Sequence, residues 1–134
     1  MAFEVGEIKR KKIQPAQKAV TNLKIMVLGD SNVGKSALIR GFIGEEKFSP
    51  AYEPTCGADF KFRHLRFAGK ACRINIWDLS GDSEYVDVRN EFFKESQGVV
   101  LAFDVSSRSS FQNLEKWLED ATSNSQGPMR AVVV

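Results

Sequence analysis

Nothing in this sequence is extreme, and its shortages narrow the field first. Among 134 residues there are only two cysteines, Cys56 and Cys72. That is too few for a disulfide scaffold and fits a reducing compartment. No apolar run approaches the roughly 18 residues of a membrane-spanning helix. The first twenty residues lack the apolar stretch of a secretory leader. Charge of one sign is also missing: 19 Lys and Arg against 17 Asp and Glu leave +2, which gives no support to nucleic-acid binding. There is no internal repeat and no low-complexity segment. The length is that of one domain, able to bury roughly two-thirds of its unfolded surface.

The small basic excess is local. Lys9, Arg10, Lys11, Lys12 and Lys18 outweigh Glu4 and Glu7 within residues 1–20, while the remainder of the chain is close to neutral. Residues 1–22 read as a solvated, poorly ordered tail, with Pro15 opposing a helix. Attraction to an anionic membrane and nuclear import are the alternative readings of the basic run.

Residues 23–28 form an apolar run closed by Gly29, the pattern of a buried strand. Residues 35–43 carry apolar side chains at 38, 39, 42 and 43, a helical spacing stopped by Gly44. Pro50, Pro54 and Gly57 make residues 45–57 a long loop. Phe60, Phe62, Leu65 and Phe67 alternate along one strand, and Cys72, Ile74 and Ile76 along the next, with Ala68-Gly69-Lys70 as the hairpin turn. Residues 78–83 read as a polar loop, 84–95 as an irregular helix and 98–105 as another buried strand. Residues 109–121 read as one amphipathic helix with Phe111, Leu114, Trp117 and Leu118 on its apolar face. A turn at 126–128 leads to a last strand from Ala131. Strands alternating with helices predict an α/β fold, a mostly parallel sheet with helices on both faces and one antiparallel edge strand. Ligands of such sheets sit at the carboxyl ends of the strands.

One motif carries chemistry. Gly29-Asp30-Ser31-Asn32-Val33-Gly34-Lys35-Ser36 matches G-x-x-x-x-G-K-[ST] in full and lies between a predicted strand and a predicted helix, its required context. The glycines let the backbone curl so that successive N–H groups face phosphate oxygens. The helix that follows points its positive end at the same anion. Lys35 supplies a cation for the β- and γ-phosphates, and the Ser36 hydroxyl is a hard oxygen ligand for Mg²⁺. Residues Ser31, Asn32, Val33, Gly34, Lys35, Ser36 and Ala37 are therefore the candidate phosphate-binding set.

The rest of the chain resembles the Ras superfamily of small GTPases over residues 23–134. Gly29-Asp30-Ser31, Cys56-Gly57-Ala58-Asp59-Phe60 and Trp77-Asp78 resemble its Rab-like group. Arg89-Asn90-Glu91-Phe92-Phe93-Lys94, followed by Gln97-Gly98-Val99-Val100, is most similar to the RJL branch, some of whose members carry a J domain. The resemblance implies a P-loop three-layer sandwich, a GTP-binding molecular switch, GTP or GDP as bound ligand and Mg²⁺ as cofactor. Thr55 would ligate Mg²⁺ and meet the γ-phosphate as the first switch. Asp78 would hold the metal through water, Gly81 would offer its N–H to the γ-phosphate, and Phe48 would pack on guanine, with Tyr52 nearby. Taken singly, Thr55 is also an ordinary loop residue, Asp78 a strand-end cap and Phe48 a core aromatic; their spacing from a complete phosphate loop favours the site. Phe60, Trp77 and Phe92 lie where Rab-like proteins expose an apolar patch to effectors, and are otherwise ordinary core.

Effectors, an exchange factor and an activating protein are the implied partners of a cytoplasmic monomer acting in signalling or vesicle traffic. Nuclear or transient membrane association is compatible with the tail. No prenylation cysteine stands near Val134 and Ala2 follows Met1, so no stable lipid anchor is visible.

Two departures from the family pattern matter. Asp82 stands where a Gln is usual. A Gln amide both donates to and accepts from the attacking water, whereas an ionised Asp only accepts and adds negative charge beside the γ-phosphate. Slow GTP hydrolysis is expected, and a non-hydrolysing interaction protein is the alternative. The second departure is that no N-K-x-D guanine-reading motif occurs before Val134. The resemblance thus implies an incomplete G domain over 23–134, truncated after its fifth strand, with one sheet face partly uncovered and weakened nucleotide affinity.

Overall fold

The computed structural model describes residues 20–45, 51 and 53–134. Ten elements follow one another: β1 (Thr21–Leu28), α1 (Lys35–Ile43), β2 (Ala58–Phe67), β3 (Lys70–Leu79), a 3-10 turn (Ser83–Tyr85), α2 (Val86–Phe92), β4 (Gly98–Leu101), α3 (Arg108–Gln112), α4 (Leu114–Asn124) and β5 (Arg130–Val133). The five strands form one sheet in the order β2-β3-β1-β4-β5. Only β2 is antiparallel, paired along β3 from Ala58↔Leu79 to Phe67↔Lys70. β1 runs parallel to both β3 and β4, with Val27 opposite Asp78 on one side and Val100 on the other. This is the mostly parallel sheet, with helices on both faces and one antiparallel edge strand, that the strand–helix alternation predicts.

Side chains alternate across β1 and β4, and that alternation divides the core. Met26, Leu28, Val99 and Leu101 point to one face, where they meet Leu79, Phe93, Leu114, Trp117 and Ala121. Val27 points to the other, with Ile76 and Ile39 of α1. The second cluster is smaller. On its side an apolar depression among β1, β4 and β5, lined by Leu23, Ile25, Val100 and Val132, is open to solvent.

Several boundaries differ from the sequence reading. β3 takes in Lys70, read as a turn residue, and runs on through Asp78 and Leu79, read as loop, because all three pair with β2; β5 begins one residue early, at Arg130. β1 begins two residues early, at Thr21, because it pairs with the start of β3 at Cys72. β4 ends at Leu101, not 105: Asp104 takes hydrogen bonds from the N–H and hydroxyl of Ser106, a turn that ejects Val105 into solvent. Residues 84–95 hold a 3-10 turn and only two turns of α-helix, and Glu95 enters the left-handed region at φ 59°. Residues 109–121 form two helices joined at Asn113, and the second runs on to Asn124. The inward stripe is Ser110, Leu114, Trp117 and Ala121; Phe111 and Leu118 face outward. On α1 likewise Ile39 is buried, while Leu38 and Phe42 are exposed.

Candidate functional site

The site forms where β1 gives way to α1. Gly29 adopts φ 149°, and a Cβ there would stand 2.2 Å from the Ala102 carbonyl oxygen, so the tight exit from β1 admits only glycine. Asn32 and Gly34 continue the curl at φ 63° and 96°. Asn is among the few side-chain-bearing residues that take this left-handed conformation readily. Gly34 caps α1 without a side-chain hydrogen bond, and the first turn carries no acidic residue, leaving amide donors and a positive dipole end directed at the curl.

Lys35 is buried and folds back over the loop. Its Nζ donates to the carbonyls of Gly29 at 2.9 Å and Asp30 at 2.6 Å. An ammonium has three donors, so one remains for a ligand. Burial lowers the Lys35 pKa below its ordinary value; the carboxylates of Asp78 and Asp30 oppose that, and the Arg89 guanidinium reinforces it.

Three oxygen-bearing side chains from separate segments converge beside the lysine. The Ser36 hydroxyl hydrogen-bonds the Oδ2 of Asp78 and lies 3.2 Å from the Thr55 hydroxyl. Asp78 is 4% exposed, and its Oδ1 is buried with no protein partner. Burial raises its pKa, against the Ser36 hydrogen bond and Lys35, which lower it. A buried carboxylate with an orphan oxygen among hydroxyls calls for a cation. The donors are hard oxygens, too few alone to fill a coordination shell, which matches how Mg²⁺ binds between one or two protein side chains, waters and phosphates.

Gly81 closes the opposite wall. A Cβ there would stand 2.5 Å from the Ser31 nitrogen and 2.6 Å from both the Asp30 carbonyl carbon and the Gly29 oxygen. The backbone at 81 thus lies directly on the phosphate loop. Ser80 is buried and donates its N–H to the Gly57 carbonyl at 2.9 Å, joining the segment after Asp78 to the segment after Thr55. Asp82 is exposed and caps the 3-10 turn, its Oδ1 accepting from the Glu84 N–H at 3.0 Å. Ser31 and Asn32 lie exposed on the loop, with Val33 and Ala37 half-buried. Phe48 and Tyr52 fall outside the described residues.

Phe60, Trp77 and Phe92 are in contact, with ring centroids 4.9 Å apart for Phe60–Trp77 and 4.6 Å for Trp77–Phe92. Phe60 is 38% exposed; Trp77 and Phe92 are half-buried against the larger core cluster. Phe62, which the sequence marks only as a strand residue, extends the row at 6.3 Å from Phe60. The sequence reading also overlooked Arg89 and Trp117 as site residues; both read as ordinary helix positions, and only their three-dimensional placement ties them to the loop. Among the described residues no helix is long and apolar enough to cross a membrane.

Comparison with known proteins accords with this geometry. The family model described as Ras family matches residues 24–134. The chain is similar to Ras-related protein Rab-18 of Lymnaea stagnalis, 38% identical over 104 residues that make up 78% of this chain and 51% of the relative. It is similar to Ras-related protein SEC4 of Candida albicans, 36% identical over 100 residues, 75% of this chain and 47% of the relative. It is also similar to DnaJ homolog subfamily C member 27 of Danio rerio, 39% identical over 98 residues, 73% of this chain and 36% of the relative. The chain therefore spans about half, or less, of the length of these curated relatives.

Proposed function

The chain belongs to the Ras family, in its Rab-like part, and from that premise we propose that it is a guanine-nucleotide-binding switch with slow intrinsic GTP hydrolysis. The observation that carries the reading is the convergence of Lys35, Ser36, Thr55 and Asp78 at the carboxyl edge of β1 and β3, with the second carboxylate oxygen of Asp78 left without a partner. Ser36, Thr55 and, through water, Asp78 would hold Mg²⁺, which when bound neutralises phosphate charge. Lys35 and the loop amides of 31–37 would bind the β- and γ-phosphates, and Gly81 would present its N–H to the γ-phosphate. Residues 53–57 and 80–85 are the two segments that would report on the phosphate. Phe48 and Tyr52 remain proposed nucleotide contacts on the resemblance alone.

Hydrolysis is attack of water on the γ-phosphoryl group, releasing GDP and phosphate. The side chain at the usual Gln position cannot both donate to and accept from that water as a Gln would. Asp82 commits one carboxylate oxygen to the Glu84 N–H and cannot donate when ionised. Persistence of the triphosphate form, ended by an activating protein and renewed by an exchange factor, follows. The Phe60–Trp77–Phe92 row, resting on β2, β3 and α2, would be the surface offered to effectors. That row also favours a second reading, a non-hydrolysing protein acting by partner binding.

Titration of labelled GDP, GTP and ATP with and without Mg²⁺ tests the proposal. Guanine-selective, Mg²⁺-dependent binding supports the switch; a folded protein that binds none supports the second reading; preference for ATP contradicts both. Single-turnover hydrolysis tests the slow step: Asp82→Gln should be faster than the parent, and equal rates refute the role given to Asp82.

A further inference from the structure

Among the described residues one buried cation lies outside the phosphate-facing set. Arg89 on α2 is 5% exposed. A guanidinium held so far from water requires partners. Its Nη1 donates to the Ser80 carbonyl at 2.9 Å and to the Asp82 carbonyl at 2.6 Å, the two carbonyls that flank Gly81. It also meets a face: the guanidinium carbon lies 4.7 Å from the centre of the Trp117 ring, and the Asp120 carboxylate supports its charge. That ring is itself fixed. Trp117 Nε1 donates to Oδ1 of Asp30 at 2.8 Å, and Asn113 Nδ2 donates to Oδ2 of the same carboxylate at 2.7 Å. Asp30 is the second residue of the phosphate loop. A closed circuit results: phosphate loop to Trp117, Trp117 to Arg89, Arg89 to the backbone on both sides of Gly81, and Gly81 back onto residues 29–31.

Every link of that circuit is protein to protein. A segment that only a γ-phosphate orders must lose its freedom when the triphosphate binds, and that loss subtracts from affinity. Arg89 would offset part of that loss, because it holds the two carbonyls that flank Gly81 through a charged donor, which makes stronger bonds than a neutral one.

We infer that Arg89 is a positioning residue that holds Gly81 and Asp82 against the phosphate loop before any γ-phosphate is present, so that triphosphate meets a preformed wall. The inference rests on the nucleotide-binding reading and adds to it a source of preference for triphosphate over diphosphate. It also assigns the larger nucleotide-dependent movement to the segment around Thr55.

Two measurements on the parent, Arg89→Ala and Trp117→Phe test it. The first is hydrogen exchange at the amides of 81–85 in nucleotide-free and GDP-loaded protein. The second is the ratio of affinities for a non-hydrolysable GTP analogue and GDP. Arg89→Ala should speed exchange at 81–85 and lower analogue affinity about tenfold or more relative to GDP, the scale expected from re-ordering one or two residues. Trp117→Phe keeps a ring beneath the guanidinium but removes the N–H to Asp30, and should shift the ratio in the same direction by less. Equal loss for both nucleotides, or unchanged exchange, overturns the inference and leaves Arg89 a structural residue. Should Arg89→Ala fail to fold, Trp117→Phe decides by the same two criteria. A parent that binds neither nucleotide refutes the proposed function; exchange at 81–85 in the nucleotide-free protein then still decides whether Arg89 holds the segment.

Discussion

Adding one methyl group at Gly81 is the sharpest test of how the site is built. The new carbon of Gly81→Ala would begin 2.5 Å from the Ser31 nitrogen, where ordinary contact starts at 3.4 Å. All three nearest atoms belong to the backbone of residues 29–31, so no side chain can swing away. Either the loop or the segment at 80–82 must retreat by about 1 Å, the difference between those two distances. Overpacking of this kind costs about 1–3 kcal/mol. The retreat also stretches the Ser80–Gly57 hydrogen bond and the two donated by Arg89. A total near 2 kcal/mol, roughly a thirtyfold fall in the folding constant, is the expected loss in urea denaturation of nucleotide-free protein. Affinity for a GTP analogue should fall further than affinity for GDP, because in the proposed site only the triphosphate would reach Gly81. A variant within about 0.5 kcal/mol of the parent, with both affinities unchanged, would refute the close approach as a rigid feature.

Other expectations follow from the same contacts. Ser36→Ala strips Asp78 of its hydroxyl partner and should cost about 1–3 kcal/mol without metal; it should also abolish the gain in nucleotide affinity on adding Mg²⁺, and retention of that gain would contradict the metal assignment. Phe93, fully buried in the larger core cluster, should lose about 3–5 kcal/mol on truncation to Ala, read from the denaturant midpoint, whereas a loss under about 1 kcal/mol would mean that the cluster repacks freely. The Ser106 hydroxyl and N–H hold the Asp104 carboxyl below its ordinary value of 3.8. A depressed carboxylate contributes stability that is present above the unfolded pKa and lost as pH falls through the folded one. Asp104→Ala should therefore flatten the acid side of the stability curve below pH 3.8, and an unchanged acid limb counts against the turn as drawn.

The parts legible in the sequence were those whose signal is local. The phosphate loop announces itself because glycine, lysine and serine must stand at fixed spacing for a backbone curl, a cation and a hydroxyl to meet. The apolar run at 23–28 marks a buried strand, and in the structure Met26 and Val27 point to its opposite faces because the period of a strand is two. Turn chemistry was harder to read. The apolar run through Val105 looked like continuous strand, yet the Asp104–Ser106 hydrogen bonds outcompeted the sheet ladder there. Helical periodicity cannot tell which stripe faces inward, and it assigns Phe111 and Leu118 to a core that Leu114, Trp117 and Ala121 occupy. Least visible was the link between Asp30, Arg89 and Trp117. Eighty-seven positions separate the first from the last, and no local pattern encodes a contact that the sheet order creates.

The two tryptophans of the chain stand in different optical surroundings. Trp77 belongs to the half-exposed aromatic row, so its emission should redden and respond to added quenchers. Trp117 is 7% exposed, its indole N–H bound to a carboxylate and a guanidinium over its face. Its light should be bluer and shielded from those quenchers. Native fluorescence can thus follow the outer surface and the interior of one molecule separately, with no dye attached.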